Sequence, residues 1–317
     1  MSDHLLITVD YELFGDGSGC VQKCVVEPTA RLLALADGFG VPITLFVDAT
    51  EFIRLQHGRV ASQLRDAVRR GHDVQIHVHP QWFGAAPADG GWKLDSRWRL
   101  ADRSGADIAA MLTEGVDWLQ STLSGLDWKA RAFRAGGWAI RPSEVTVAAL
   151  LECGLRIDST VAPGRSGPGF DFGDAPALPF WRTDGDVCAA GGQALWEVPI
   201  ATAPLSPTVR LRSMAGRRLS GVRPAGCHKA TAPRLLGARG ATQLDYCGLD
   251  VAGQLAVIRW WRAQRRIGRQ PTPIVAIGHS KDFGDFAAHN LRQLLRWTSG
   301  QDLTPSTYGR WLGAVGG

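Results

Sequence analysis

The sequence predicts an α/β protein built as an irregular (β/α)7 barrel, and three observations predict it. Strand-like and helix-like segments alternate about seven times along 317 residues, which argues for a parallel sheet with helices outside it. The strand segments are apolar runs that need cover on both faces, and closure into a barrel is the natural way to supply it. Ionisable side chains gather at the ends of five of these strands, at what should be one face, where parallel barrels place their chemistry.

The elements follow in order. LLITVD (5–10) is a β-branched apolar run, the first strand. Pro28 opens a helix with Leu32, Leu33, Leu35 and Phe39 on one side. PITLFVD (42–48) is the second strand. Residues 59–70 form a helix that stops on Arg69, Arg70 and Gly71. HDVQIHVH (72–79) is the third strand, ended by Pro80. A polar loop with Trp82, Trp92 and Trp98 follows, and then an amphipathic helix marked by Ile108, Met111, Leu112, Val116, Leu119 and Leu123. ARAFRA (130–135), LRIDST (155–160) and LWEVPI (195–200) are the next strands, with a helix opened by Pro142 and closed by Gly154. Residues 161–194, rich in Gly and Pro, read as loop. A helix over 250–268, the strand PIVAIGH (273–279) and a last helix with Leu291, Leu294, Leu295 and Trp297 complete the pattern. With no internal repeat or clear linker, residues 1–317 are expected to form one catalytic domain with a basic insertion at about 203–240.

Composition narrows the function. Hydrophobic residues make up 45% and charged residues 21%, an ordinary globular balance with material for a core. No apolar run approaches the roughly 20 residues needed to span a bilayer. The amino terminus lacks the basic and apolar regions of a signal peptide, so a soluble, cytoplasmic protein is expected. Six scattered cysteines include no C-x-x-C pair, and free thiols are the simplest account. Net charge is +5, with Arg210, Arg212, Arg217, Arg218, Arg223, Lys229, Arg234 and Arg239 clustered in a stretch without acids. This stretch reads as a solvated face or lid, or as a clamp for an anionic group such as phosphate. Nucleic acid is not an expected partner, because no motif accompanies the basic stretch.

The strand ends carry the chemistry. His77 and His79 are two residues apart in an extended segment, so both rings point to one face and can meet one metal ion. Asp10 and Glu12 end the first strand, Arg134 the fourth, Asp158 the fifth and His279 the seventh. Ionisable groups at buried strand ends are costly unless paired or bound to something. Two imidazoles and a carboxylate form a common catalytic zinc set with an open position. A further carboxylate can take a proton from water, and a histidine can protonate a leaving amine.

The order D-x-E (TVDYE), H-x-H-P, R-A-G-G-W and G-H on successive strands resembles the polysaccharide deacetylase superfamily, the NodB-homology or carbohydrate esterase family 4 proteins. The resemblance spans about residues 5 to 300. It implies a distorted (β/α)7 barrel and metal-dependent hydrolysis of N-acyl groups, N-acetyl foremost, on amino sugars or sugar conjugates, phosphate-linked ones included. Polysaccharide or glycoconjugate biosynthesis is the setting it implies. By resemblance, Asp10 is the base, Glu12, His77 and His79 are ligands of one divalent ion with zinc favoured, Arg134 orients the base, and His279 is the general acid. The departures are D-x-E in place of an aspartate pair, histidines two residues apart instead of one helical turn, and Gln81 beyond them.

Substrate contacts are expected from Trp82 and Trp138, whose faces suit pyranose rings, and from Asp158. Tryptophans also fill cores, and D-S-T at 158–160 also suits an ordinary turn. Two other functions remain open: a different metal hydrolase of the amidohydrolase type, and a non-catalytic barrel that binds glycans.

Overall fold

A computed structural model describes residues 2–89, 91–220, 223–227, 239–265, 267–268 and 270–316, with only the backbone of Arg239. Seven strands run parallel: β1 (Asp3–Tyr11), β2 (Ile43–Asp48), β3 (Asp73–Val78), β4 (Ala132–Ala135), β5 (Ile157–Asp158), β6 (Leu195–Glu197) and β7 (Pro273–His279). They lie in the order β6-β5-β4-β3-β2-β1-β7. Ile200, just past β6, bridges in parallel to Val275 of β7, and this brings the two ends of the sheet together. The seven strands lie within a nine-stranded sheet, in which Leu303–Pro305 also pairs in parallel with the start of β1, and this curled sheet is the architecture expected from the sequence. Its irregular side is β5 and β6, which are short, with an antiparallel strand (Trp181–Thr183) on the edge of β6.

Apolar residues on both strand faces explain the layering. Leu5, Ile7, Val9, Leu45, Val47, Val74 and Ile76 on one face, and Leu6, Thr8, Thr44, Phe46 and Gln75 on the other, are fully buried, which is how a strand covered on both sides reads. Helices supply the outer cover. Among them, α1 (Glu27–Asp37), α2 (Ala49–Leu55), α3 (Gly58–Arg69), α4 (Gly105–Thr122) and α5 (Glu144–Glu152) follow the first four strands. Polar residues start several of them: Ser104 Oγ accepts from Asp107 N, and Asp48 Oδ1 accepts from Glu51 N. On α3, Val60, Leu64 and Ala67 face inward at helical spacing.

Several elements depart from the sequence reading. The basic stretch begins as a helix, α6 (Pro207–Ser220), of which only Ser213 is buried. Arg212 there pairs with Asp250, and Arg223 lies 3.7 Å from Asp282. Lys229 and Arg234 of the same stretch lie outside the described residues. The 161–194 loop contains short paired strands at 165–167 and 170–171.

The expectation of six free thiols is corrected. Cys24 and Cys227 form a disulfide, with Cα atoms 4.9 Å apart across a sequence separation of 203. Local spacing cannot reveal a pair so far apart in the chain. Such bonds persist in oxidising surroundings, whereas the sequence reading placed the chain in a reducing one. Cys20, Cys153, Cys188 and Cys247 are free. No helix among the described residues is long and apolar enough to cross a membrane.

Candidate metal centre

Strand register sets the site. Asp10 pairs with His279 across β1 and β7, Asp48 with His77 across β2 and β3, and His77 with Arg134 across β3 and β4. Neighbours in register share a face, so these side chains converge. His79 follows β3 with an extended backbone (φ −102°, ψ 104°) and therefore stays on the face of His77. Pro80 then turns the chain away in a 3₁₀ turn over Pro80–Trp82.

Both imidazoles present Nε2 to one oxygen of Glu12. His77 Nε2 is 3.0 Å from Glu12 Oε2, and His79 Nε2 is 2.6 Å from the same atom. The ligand atoms of Glu12, His77 and His79 all lie within 4.8 Å of one another. His77 and Glu12 are buried, and the side chain of His79 is 12% exposed. Gln81 Nε2 lies 3.1 Å from His79 Nδ1, so the far side of that ring is held as well.

Gly136 makes room for His79. A Cβ at Gly136 would stand 2.5 Å from the His79 ring carbons and 2.7 Å from Val78 O. The R-A-G-G-W run therefore has a packing reason for its first glycine. Gly137 and Trp138 follow with φ of 61° and 58°, a left-handed turn that is uncommon for a tryptophan.

On the other side of Glu12, its Oε1 accepts a hydrogen bond from Lys281 Nζ at 2.5 Å. His279 Nε2 lies 3.6 Å from Asp10 Oδ2 and 3.9 Å from Glu12 Oε1. Arg134 is wholly buried and fully engaged: Nη1 donates to Asp10 Oδ1 at 2.6 Å and to Thr8 Oγ1 at 2.9 Å, and Nε donates to Ser159 O at 3.0 Å. Its guanidinium lies over the Phe46 ring, 4.1 Å from the centroid.

The electrostatics agree with this clustering. Burial pushes the Glu12 carboxyl up, but Lys281, His79 and His77 outweigh it and hold the group well below the usual carboxylate range. Burial pushes His77 down, and the carboxylates of Glu12, Asp10 and Asp48 more than reverse that, leaving it raised. Behind the histidines sit two buried acids that sequence reasoning missed. Burial raises Asp48 despite the opposing fields of His79 and His77, and burial with Asp48 beside it raises Glu51 well above its ordinary value.

Asp48 was legible in principle, because it ends its strand as Asp10 does. Lys281 had no signal beyond its place two residues after His279. Asp245 was also missed: it is half-buried beside β7, where it bridges in parallel to Ile277, its Oδ1 accepts from Cys247 N and Gly248 N, and it lies in the field of His279.

The three residues expected to contact substrate are placed differently from one another. Trp82 is 1% exposed and packs edge-on against Trp92, so it has no free face. Asp158 is wholly buried, and its Oδ1 accepts from Thr160 Oγ1 at 2.6 Å. Trp138 is half-buried, packed edge-on to Phe170 with Arg165 over its ring.

The donor set fits a divalent ion. Zinc bonds of about 2.1 Å at tetrahedral angles set donors about 3.4 Å apart. The two carboxylate–imidazole contacts here are 3.0 and 2.6 Å, so small outward shifts accommodate an ion. His77 Nδ1 and Asp48 Oδ2 are buried beside it without hydrogen-bond partners.

Comparison with solved structures identifies the fold as that of the polysaccharide deacetylases. A candidate polysaccharide deacetylase from Mycobacterium smegmatis superposes with a TM-score of 0.56 at 18% identity, covering 99% of this chain and 91% of the other. A candidate polysaccharide deacetylase from Pseudomonas aeruginosa gives 0.52 at 13%, covering 98% and 90%. The allantoinase PuuE gives 0.53 at 11%, covering 99% and 91%. No protein-family model and no curated protein matches the sequence.

Proposed function

We propose that the protein is a divalent-metal-dependent hydrolase that removes an N-acyl group, N-acetyl foremost, from an amino sugar in polysaccharide or glycoconjugate biosynthesis. The observation that carries this reading is the convergence of Glu12, His77 and His79, with the Asp10–Arg134 pair and His279 alongside, within a polysaccharide deacetylase fold.

Glu12, His77 and His79 would hold the ion, zinc foremost. When bound, such an ion supplies Lewis-acid polarisation of the amide carbonyl. Asp10 accepts a proton from the attacking water, while Arg134, fixed by Thr8, Ser159 and Phe46, holds its carboxylate in one orientation. His279 gives a proton to the leaving amine, so that amide plus water become carboxylate and amine. Trp138, which keeps part of its surface exposed, provides the ring contact for a sugar.

The test is metal analysis of purified protein together with acetate release from free, nucleotide-linked and lipid-linked N-acetylated amino sugars. The reading requires one bound ion and acetate release, with both lost in His77→Ala. A His77→Ala protein that keeps metal and activity would refute it. Because the fold also carries an allantoinase, a second reading is hydrolysis of a non-sugar amide; turnover confined to such amides would establish it.

A further inference from the structure

Glu12 has two oxygens, and the structure gives them different partners. Oε2 faces the two imidazoles, at 3.0 and 2.6 Å. Oε1 accepts from Lys281 Nζ at 2.5 Å, and the same ammonium donates to Leu13 O at 2.6 Å. Lys281 lies in the 3₁₀ turn Ser280–Asp282 after β7, with its side chain 11% exposed and its ammonium 5.5 Å from the centre of the Phe14 ring. The neighbouring Ser280 hydroxyl lies 3.4 Å from Asp10 O and 3.3 Å from Glu12 O. The turn is thus stitched to the chain from Asp10 to Leu13 by the side chains of Ser280 and Lys281.

A buried ammonium beside a proposed cation site calls for a reason, because like charges repel and desolvation is costly. Solubility or surface salt bridging does not supply one at this depth. Orientation does. A glutamate has one more rotatable bond than an aspartate, and with both oxygens free it can clasp an ion with one or with two. An ammonium on Oε1 removes the second choice.

We infer that Lys281 is a positioning residue of the metal site: by holding Oε1 it restricts Glu12 to a single-oxygen contact and so keeps coordination positions open for substrate and water. The inference rests on the metal-site reading above. It also gives D-x-E a partner, since the longer acid at position 12 comes with a lysine that fixes its extra freedom.

The test is the visible spectrum of the Co2+-loaded protein, which reports coordination number independently of turnover. Wild type, Lys281→Met and Lys281→Gln are loaded to equal occupancy, with folding checked by circular dichroism. Wild type should give the strong absorption of a low-coordinate ion. In Lys281→Met, Glu12 clasps with both oxygens, and absorption per bound ion falls by about threefold or more as coordination number rises. Lys281→Gln, which keeps a donor but no charge, should fall between them, and it decides the matter if the methionine variant does not fold. Identical spectra in wild type and the folded variants would overturn the inference while leaving the metal site standing. Failure of wild type to bind Co2+ would overturn both.

Discussion

Gly136→Ala tests the geometry of the histidine pair with one methyl group. The added Cβ would lie 2.5 Å from the His79 ring and 2.7 Å from Val78 O. Ordinary carbon contacts begin near 3.5 Å, so about 1 Å must be absorbed. The ring has little freedom to yield, because Nε2 faces Glu12 at 2.6 Å and Nδ1 faces Gln81 at 3.1 Å. Val78 O belongs to the strand and cannot move alone. Overpacking of this kind costs about 1–3 kcal/mol, and a ligand ring pushed out of line weakens metal binding by about 10- to 100-fold. Chelator-competition titration with Zn2+ measures the affinity, and urea denaturation of metal-free protein measures the stability. Wild-type affinity together with wild-type stability would refute the placement of His79 against Gly136.

Arg134→Met leaves Asp10 buried without its partner and should cost about 3–5 kcal/mol in urea denaturation; a loss below about 1 kcal/mol would show that Asp10 is not held this way. Lysine at this position should not rescue, because it cannot reach Asp10, Thr8 and Ser159 together. Burial pushes Asp73 up to about 6, so the folded state favours its protonated form. Stability from this group is full below the unfolded value near 3.8 and is lost as pH rises through about 6. Asp73→Asn should therefore gain about 2 kcal/mol over wild type between pH 4 and pH 7, and parallel pH profiles would contradict this. The Cys24–Cys227 bond closes a loop with a sequence separation of 203, for which chain entropy allows up to about 5 kcal/mol. Reductant should lower the Tm of wild type but not of Cys24→Ser, and a wild-type Tm indifferent to reductant would show the bond is not formed.

The barrel was legible because its strands are apolar on both faces and alternate with amphipathic helices; LLITVD, PITLFVD and PIVAIGH all lie within or across observed strands. The strand-end rule brought Asp10, His77, Arg134 and His279 together because register in a parallel sheet carries position along one strand to its neighbours. Contacts set by the third dimension were not legible. Lys281 reaches Glu12 across 269 residues, and Cys24 meets Cys227 across 203, with no periodicity to announce either. Trp82 shows a different limit: adjacency to the histidines in sequence suggested a platform, yet the turn at Pro80 sends the ring into the core against Trp92. Asp48 was within reach of the same strand-end rule, since it closes β2 directly opposite His77.

The central claim is that Glu12, His77 and His79 hold one divalent ion. Anomalous diffraction from crystals grown with Zn2+ tests it most directly. The account predicts one strong peak about 2.0–2.2 Å from Glu12 Oε2 and from both Nε2 atoms. A map with no peak there, or with zinc bound only elsewhere on the chain, would contradict it.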